Sequence, residues 1–161
     1  MSVTATLEGD SRQLLERLKK LKTADRRGAL RTIAEGLRTS TVERFGREED
    51  PEGNKWTTSI RVSESGGKTL TKTGMLKASI RSEVNSGGLA VGTNDIRAAT
   101  HQFGAERTIR AKNKKNLKFK IGNRWISKAA VHITIPARPY LGVSEEDQRE
   151  IQEVLETFIS D

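Results

Sequence analysis

Apolar residues return at helical spacing twice near the start of the chain, first as Leu14, Leu15, Leu18 and Leu21, then as Leu30, Ile33, Leu37, Thr41 and Phe45. Both runs predict amphipathic helices. Asp10 and Gln13 stand in capping-box relation ahead of the first. Thr23 lies between the runs and leaves one long helix or two open. Gly46 follows Phe45 and is the expected left-handed residue just past the helix end. From Thr23 to Phe45 such a helix would span roughly 35 Å.

The polar stretch GREEDPEGNKW, Gly46 to Trp56, then predicts a loop that ends on an apolar anchor, Trp56. Thr73 is placed to cap a short helix carrying Met75, Leu76 and Ile80. The run Ile80 to Val84 faces Leu89 to Val91 across Asn85-Ser86-Gly87-Gly88, which predicts a β-hairpin. A helical turn over Ile96 to Phe103 is expected to stop at Gly104.

Further on, Leu117, Phe119 and Ile121 alternate with lysines and meet Gly122-Asn123, then Trp125 and Ile126. That is a second hairpin signal, with its apolar side expected to face a core and Lys118 and Lys120 outside. Ser144 can cap a final helix with Asp147 in the capping-box position, and Ile151, Val154, Leu155, Phe158 and Ile159 form its apolar stripe. The order of elements predicts an α+β fold. N-terminal helices and a C-terminal helix would pack against a small antiparallel sheet built from hairpins, in a single domain over residues 1–161.

One stretch resists this simple alternation. In HITIPARPYLGVSEED, His132 to Asp147, a β-like run meets two of the chain's three prolines and its only tyrosine within five residues. Pro136 lacks the N–H that would continue a ladder. Pro139 holds Arg138 extended, and Gly142 frees the turn into the Ser144 cap. A stiff strand-to-helix corner follows. It leaves open whether Tyr140 and Leu141 plug the core or face a partner, and whether Arg138 forms an interface or an ion pair.

Composition narrows the chemistry. Of 161 residues, 34% are hydrophobic and 4% aromatic, so the core must be lean and aliphatic. No cysteine is present, which excludes disulfides and thiolate metal sites. No apolar run approaches the ~18 residues of a membrane span, so no membrane partner is expected. The two histidines, His101 and His132, have no ligand at helical spacing, and neither a metal nor another cofactor is expected. Gly67-Lys68-Thr69 ends like a phosphate loop, but Val62 stands where the pattern needs its first glycine. No GxSxG turn accompanies the serines. An enzyme is not expected.

The formal charge is +8, from 29 Lys+Arg against 21 Asp+Glu. It is unevenly spread. Between Glu106 and Lys128 nine basic residues face the single acid Glu106, whereas the last helix carries seven acids against Arg149. With Phe119 and Trp125 interleaved, the basic segment suits either nucleic-acid phosphates and bases or an acidic protein surface. A basic, mobile hairpin over 105–128 is the expectation.

Five stretches occur together in a telling order: RFGREEDPEGNKW (Arg44–Trp56), LTKTGMLKASI (Leu70–Ile80), VGTN (Val91–Asn94), HQFGAE (His101–Glu106) and IPARPYLGVSEED (Ile135–Asp147). Together they resemble the phage virion morphogenesis family, the tail-completion proteins of Mu-like phages and prophages. The chain departs from that pattern with Tyr140 where phenylalanine is common, and with Arg97-Ala98-Ala99 where a tyrosine usually precedes HQFG. The resemblance implies a non-enzymatic virion protein that completes the tail or joins it to the head. It would act in a homo-oligomeric ring among other tail or neck proteins, formed in the host cytoplasm and then carried in the virion. The expected partner-facing residues are Arg138 and Tyr140 at the corner, with Lys114, Lys115, Lys118, Lys120 and Arg124 in the basic segment. The segment would meet an acidic protein surface or make non-specific contact with packaged DNA. A basic nucleic-acid-binding protein is the alternative.

Overall fold

The computed structural model describes Glu16, Lys19, residues 23–112 and residues 115–160. The expected Asp10 cap, the first leucine run and Lys114 lie outside the described residues. Helix α1 runs over Thr23–Arg47. It buries Ala29, Leu30, Ile33, Ala34, Leu37, Thr41, Arg44 and Phe45, the i, i+3, i+4 face that the second apolar run predicts. Gly46 does not end it. The left-handed residue is Glu48, with φ 56°, and its N–H donates to the Arg44 carbonyl at 2.7 Å. A side chain in this conformation costs about 1–2 kcal/mol. Here the Glu48 carboxylate accepts the Thr69 N–H at 2.6 Å, which ties the left-handed residue to the following loop.

The Gly46–Trp56 loop forms as expected and Trp56 is buried. Helix α2, Ile60–Ser65, is a short element that periodicity does not announce, because none of its residues is buried. Ser59 caps it, accepting the Val62 N–H at 3.4 Å. Helix α3, Met75–Ala78, buries Leu76. Strands β1 (Arg81–Asn85) and β2 (Gly88–Gly92) pair across the predicted turn, with Asn85 opposite Gly88. Helix α4, Ala98–Phe103, stops at Gly104 as expected, although Ile96 stays outside it and is exposed. Helix α5 covers Glu145–Ser160. The Ser144 N–H donates to Asp147 Oδ2 at 2.7 Å and the Asp147 N–H to Ser144 Oγ at 3.1 Å, the reciprocal box the sequence implied.

Two apolar clusters hold these elements together. Ile151 and Leu155 of α5 pack on Ala29, Ile33 and Leu37 of α1, with Val154 and Phe158 partly buried alongside. Gly28 gives the Phe158 ring its place, since a Cβ there would meet the ring at 3.0 Å. The second cluster joins Phe45, Trp56, Leu76, Ile80, Ala98, Tyr140 and Leu141. Its aromatic centre sets Trp56 edge-on to Phe45 at 5.5 Å between centroids, and Tyr140 tilted against Phe45 at 5.1 Å.

The fold is α+β as expected, and among the described residues its antiparallel strands form three two-stranded ladders instead of one small sheet. The β1–β2 hairpin lies on α1, where Leu89 and Val91 reach the cluster shared with α5. Strand β3, Ala105–Arg110, pairs with β6, Ala130–Ile135, and strands β4, Leu117–Ile121, and β5, Arg124–Lys128, pair across Gly122-Asn123. The ladder β3–β6 therefore encloses β4–β5, and residues 105–135 make one two-part arm. The expected boundaries of 105–128 cut across it, because Val131–Ile135 is the missing partner of β3. Pro136 follows the last rung, Ala105 with Ile135, where its missing N–H ends the ladder.

Candidate functional site

The corner at 136–142 is held from three sides. From α1, Arg44 donates through Nη1 to the carbonyls of Tyr140 and Gly142, at 3.0 and 2.9 Å, and through Nη2 to Ser40 Oγ and the Asp147 carboxylate. This Arg44–Asp147 pair is buried. Asp147 thus caps α5 and neutralises the guanidinium that fixes the corner. From α4, the Gln102 carboxamide accepts the N–H groups of Tyr140 and Leu141, at 3.0 and 3.1 Å, and donates to the Leu141 carbonyl at 2.9 Å. From the loop, Trp56 Nε1 donates to the Pro139 carbonyl at 2.8 Å, and the Thr57 carbonyl accepts Arg138 Nε at 2.7 Å.

Close packing at this corner excludes side chains at two glycines. Gly104 has φ 73°, and a Cβ there would lie 2.8 Å from both the Ala137 nitrogen and the Ile135 oxygen. Gly142, at φ 155°, faces the Pro51 ring, which a Cβ would meet at 2.5 Å. All three prolines of the chain therefore serve one corner, Pro51 by packing and Pro136 and Pro139 by covalent geometry. The HQFG stretch has a local physical reading: Gln102 supplies the clamp and Gly104 the closeness.

Tyr140 is fully buried and Arg138 is 5% exposed. Tyr140 builds the corner from within and presents no free surface, and Arg138, almost as deeply held, reaches only the wall of a cleft. Burial, with the Asp95 charge as a smaller cause, pushes the Tyr140 hydroxyl up to about 12. Burial also lowers the Arg138 guanidinium below its ordinary value. Hydrogen bonds from Arg97 hold Asp95 down at about 2. His101 sits below the ordinary imidazole value, first through burial and then through the Arg138 and Arg97 charges. Its backbone carbonyl accepts the Arg138 N–H at 2.7 Å.

The other predicted residues lie on the arm. Lys115, Lys118, Lys120 and Arg124 are exposed. The alternation of β4 is present, with Leu117 and Phe119 half-buried, but no core lies beneath it: Ile121 is 56% and Trp125 74% exposed. Residues opposite one another share a face, so Lys120 stands beside Trp125 and Lys118 beside Ser127, while Ile126 covers Phe119. The arm places cations and an indole on one open face.

The clamp residues Arg44, Gln102 and Pro51 were missed by sequence reasoning. Arg44 had one available signal: it falls on the buried face of α1, where a charge needs a partner. Gln102 and Pro51 stand in the HQFGAE and RFGREEDPEGNKW stretches, but nothing there signals the clamp, because their partners are 38 and more residues away.

The model of the phage virion morphogenesis family matches residues 10–160. The chain is also similar to "Mu-like prophage FluMu G protein 2" of Haemophilus influenzae, 30% identical over 144 residues, covering 89% of this chain and 85% of that protein. No solved structure matches.

Proposed function

Because the chain belongs to the phage virion morphogenesis family, we propose that it is a non-enzymatic assembly protein that completes the tail or joins it to the head. It acts as one subunit of a homo-oligomeric ring at the head–tail interface, among other tail and neck proteins. The observation that carries this reading is the division of the molecule into a clamped body and an arm that leaves Trp125 and Ile121 open. A two-stranded ladder with an exposed indole gains most when a neighbour covers it. Ile60, Met75, Ile96 and Phe103 add exposed apolar side chains on the body. Basic side chains around the arm would steer docking to acidic protein and make it sensitive to salt. The protein is a virion component in this reading, assembled in the host cytoplasm. Among the described residues no helix is long and apolar enough to cross a membrane.

The test is a clean deletion of the gene from a phage that carries it. Filled heads and tails that fail to join, restored by the wild-type gene, are the expected result. Infectious particles at normal yield would overturn the assignment. A second reading, contact with packaged DNA, is supported by Lys120 beside exposed Trp125, which combines a phosphate partner with a stacking surface. Binding to random duplex DNA and to isolated tails across a salt series separates the two. Protein docking predicts tail attachment at salt concentrations where DNA binding has vanished.

A further inference from the structure

Arg61, Lys72, Thr73, Arg97, His101 and Arg138 line a cleft of about 240 Å³. They come from α2, the loop before α3, the turn into α4, α4 itself and the corner. These are stretches far apart in sequence that the fold brings to one wall. Most of this charge is left without a counterion. Arg97 pairs with Asp95, but Arg61 and Arg138 donate to neutral oxygens. Arg61 donates to the Gly66 and Lys68 carbonyls at 3.3 and 2.5 Å, and Arg138 to that of Thr57. Neutral acceptors fill hydrogen-bond valence without cancelling charge, so the potential in the cleft remains positive.

His101 lines the same cleft. Its Nδ1 is buried and has no hydrogen-bond partner among the described residues. A protonated imidazole carries N–H donors on both nitrogens, so this one lacks an acceptor whenever the ring is charged. Arg138 and Arg97 disfavour that charge, and Asp95 favours it. A second anion in the cleft would supply the missing counter-charge. Guanidinium groups match planar oxyanions through paired N–H donors, and the Thr73 hydroxyl offers one more.

We infer that this cleft is an oxyanion site that takes the carboxylate of an acidic protein side chain. That the side chain belongs to a neighbouring subunit rests on the assembly reading above; the anion site itself does not. Acetate reproduces the ligand's chemistry, and the chain's two histidines make the readout clean, because His132 lies on the arm, in β6. The midpoints of both imidazoles are followed by NMR in the intact protein, in sodium chloride, acetate and phosphate at matched ionic strength. An anion beside the ring favours its charged form, so saturating acetate raises the His101 midpoint by about one pH unit over chloride and leaves His132 unmoved. Lys72→Gln, at an exposed position, weakens the acetate response without changing the melting temperature. An identical His101 midpoint in acetate and chloride overturns the site, as does an equal movement of His132. A response to phosphate with none to acetate overturns the carboxylate assignment. None of these failures touches the deletion phenotype, so the assembly reading stands or falls separately.

Discussion

The corner and the arm are made from adjacent residues, yet they are stabilised in opposite ways. At the corner, each backbone group between Pro139 and Gly142 that the clamp reaches is bonded by a side chain from elsewhere in the chain: Arg44, Trp56 or Gln102. In the arm, the strands bond only in pairs, and the side chains above them remain largely open. Two-stranded ladders on their own are marginal in water. Each region's order therefore has a different source. The corner is ordered by the rest of this chain, whereas the arm draws little from the body beyond its own ladders.

The sharpest way to break that comparison is to truncate one aromatic in each region. Phe45→Ala removes a fully buried ring that touches Trp56 and Tyr140, and the expected loss is roughly 4 kcal/mol. Trp125→Ala removes a larger ring that is mostly exposed, and should change stability by no more than about 0.5 kcal/mol. Denaturant unfolding of both variants is the measurement. Comparable losses would show that the arm packs as a second core.

Next in size is the ion pair behind the corner. Asp147→Ala strands the buried Arg44 guanidinium and opens the α5 cap together, and about 3 kcal/mol should be lost. The double variant Asp147→Ala with Arg44→Leu should recover part of that loss, since the unpaired charge is then gone. No recovery would mean that the cap and the carbonyl bonds, and not the buried charge, set the cost. Gln102→Ala is expected to cost less, roughly 1–3 kcal/mol, by leaving polar backbone groups of Tyr140 and Leu141 unpaired.

These clamps also mark where the sequence could be read and where it could not. Periodicity found α1 and α5, because their buried faces repeat at i, i+3 and i+4. Turn chemistry found both hairpin turns, because Gly87 and Gly122-Asn123 are local signals. Pro136 and Pro139 announced the corner for the same reason: their effect is written into their own rings. The clamp on that corner is a matter of distant pairing. Nothing near Gln102 says that its carboxamide will meet Tyr140, and nothing near Pro51 says that it will pack on Gly142. Strand β6 was visible as a β-like run, but its partner was not, because β4 and β5 intervene and form the more local pair. The end of α1 was misplaced for a related reason, since Glu48 is held left-handed by Thr69, 21 residues later.

The single tyrosine gives a smaller but selective probe of the corner. In the unfolded chain Tyr140 has the ordinary phenol value near 10.0, and in the fold burial pushes it up to about 12. The folded value is raised, so the stability linked to this group is fully present below pH ~10 and is lost as pH rises toward ~12. Tyrosinate absorbance of the native protein should therefore rise together with the loss of folded signal. Tyr140→Phe should remove the contribution of this group to alkaline unfolding. A native titration near 10 without unfolding would place the hydroxyl in water and break the account of the corner.

The smallest effect on stability is expected on the arm, and there the proposed assembly role predicts an effect on docking. Replacing Lys115, Lys118, Lys120 and Arg124 by Gln removes four exposed charges, and the melting temperature should hardly move. The rate at which the protein joins isolated tails should fall, because like-signed cations distributed along an arm act on the approach to a partner and less on the final contact. The salt dependence should flatten with it, since fewer charges would then remain for salt to screen over a Debye length of about 8 Å at physiological ionic strength. Trp125→Ala should behave differently in the same assay, shortening the lifetime of the joined complex while leaving the salt slope in place, because an indole contributes buried area and no charge. Charge changes that alter neither rate nor slope would leave the basic face of the arm as a solvated surface. A Trp125 change without effect would remove the arm from the interface altogether.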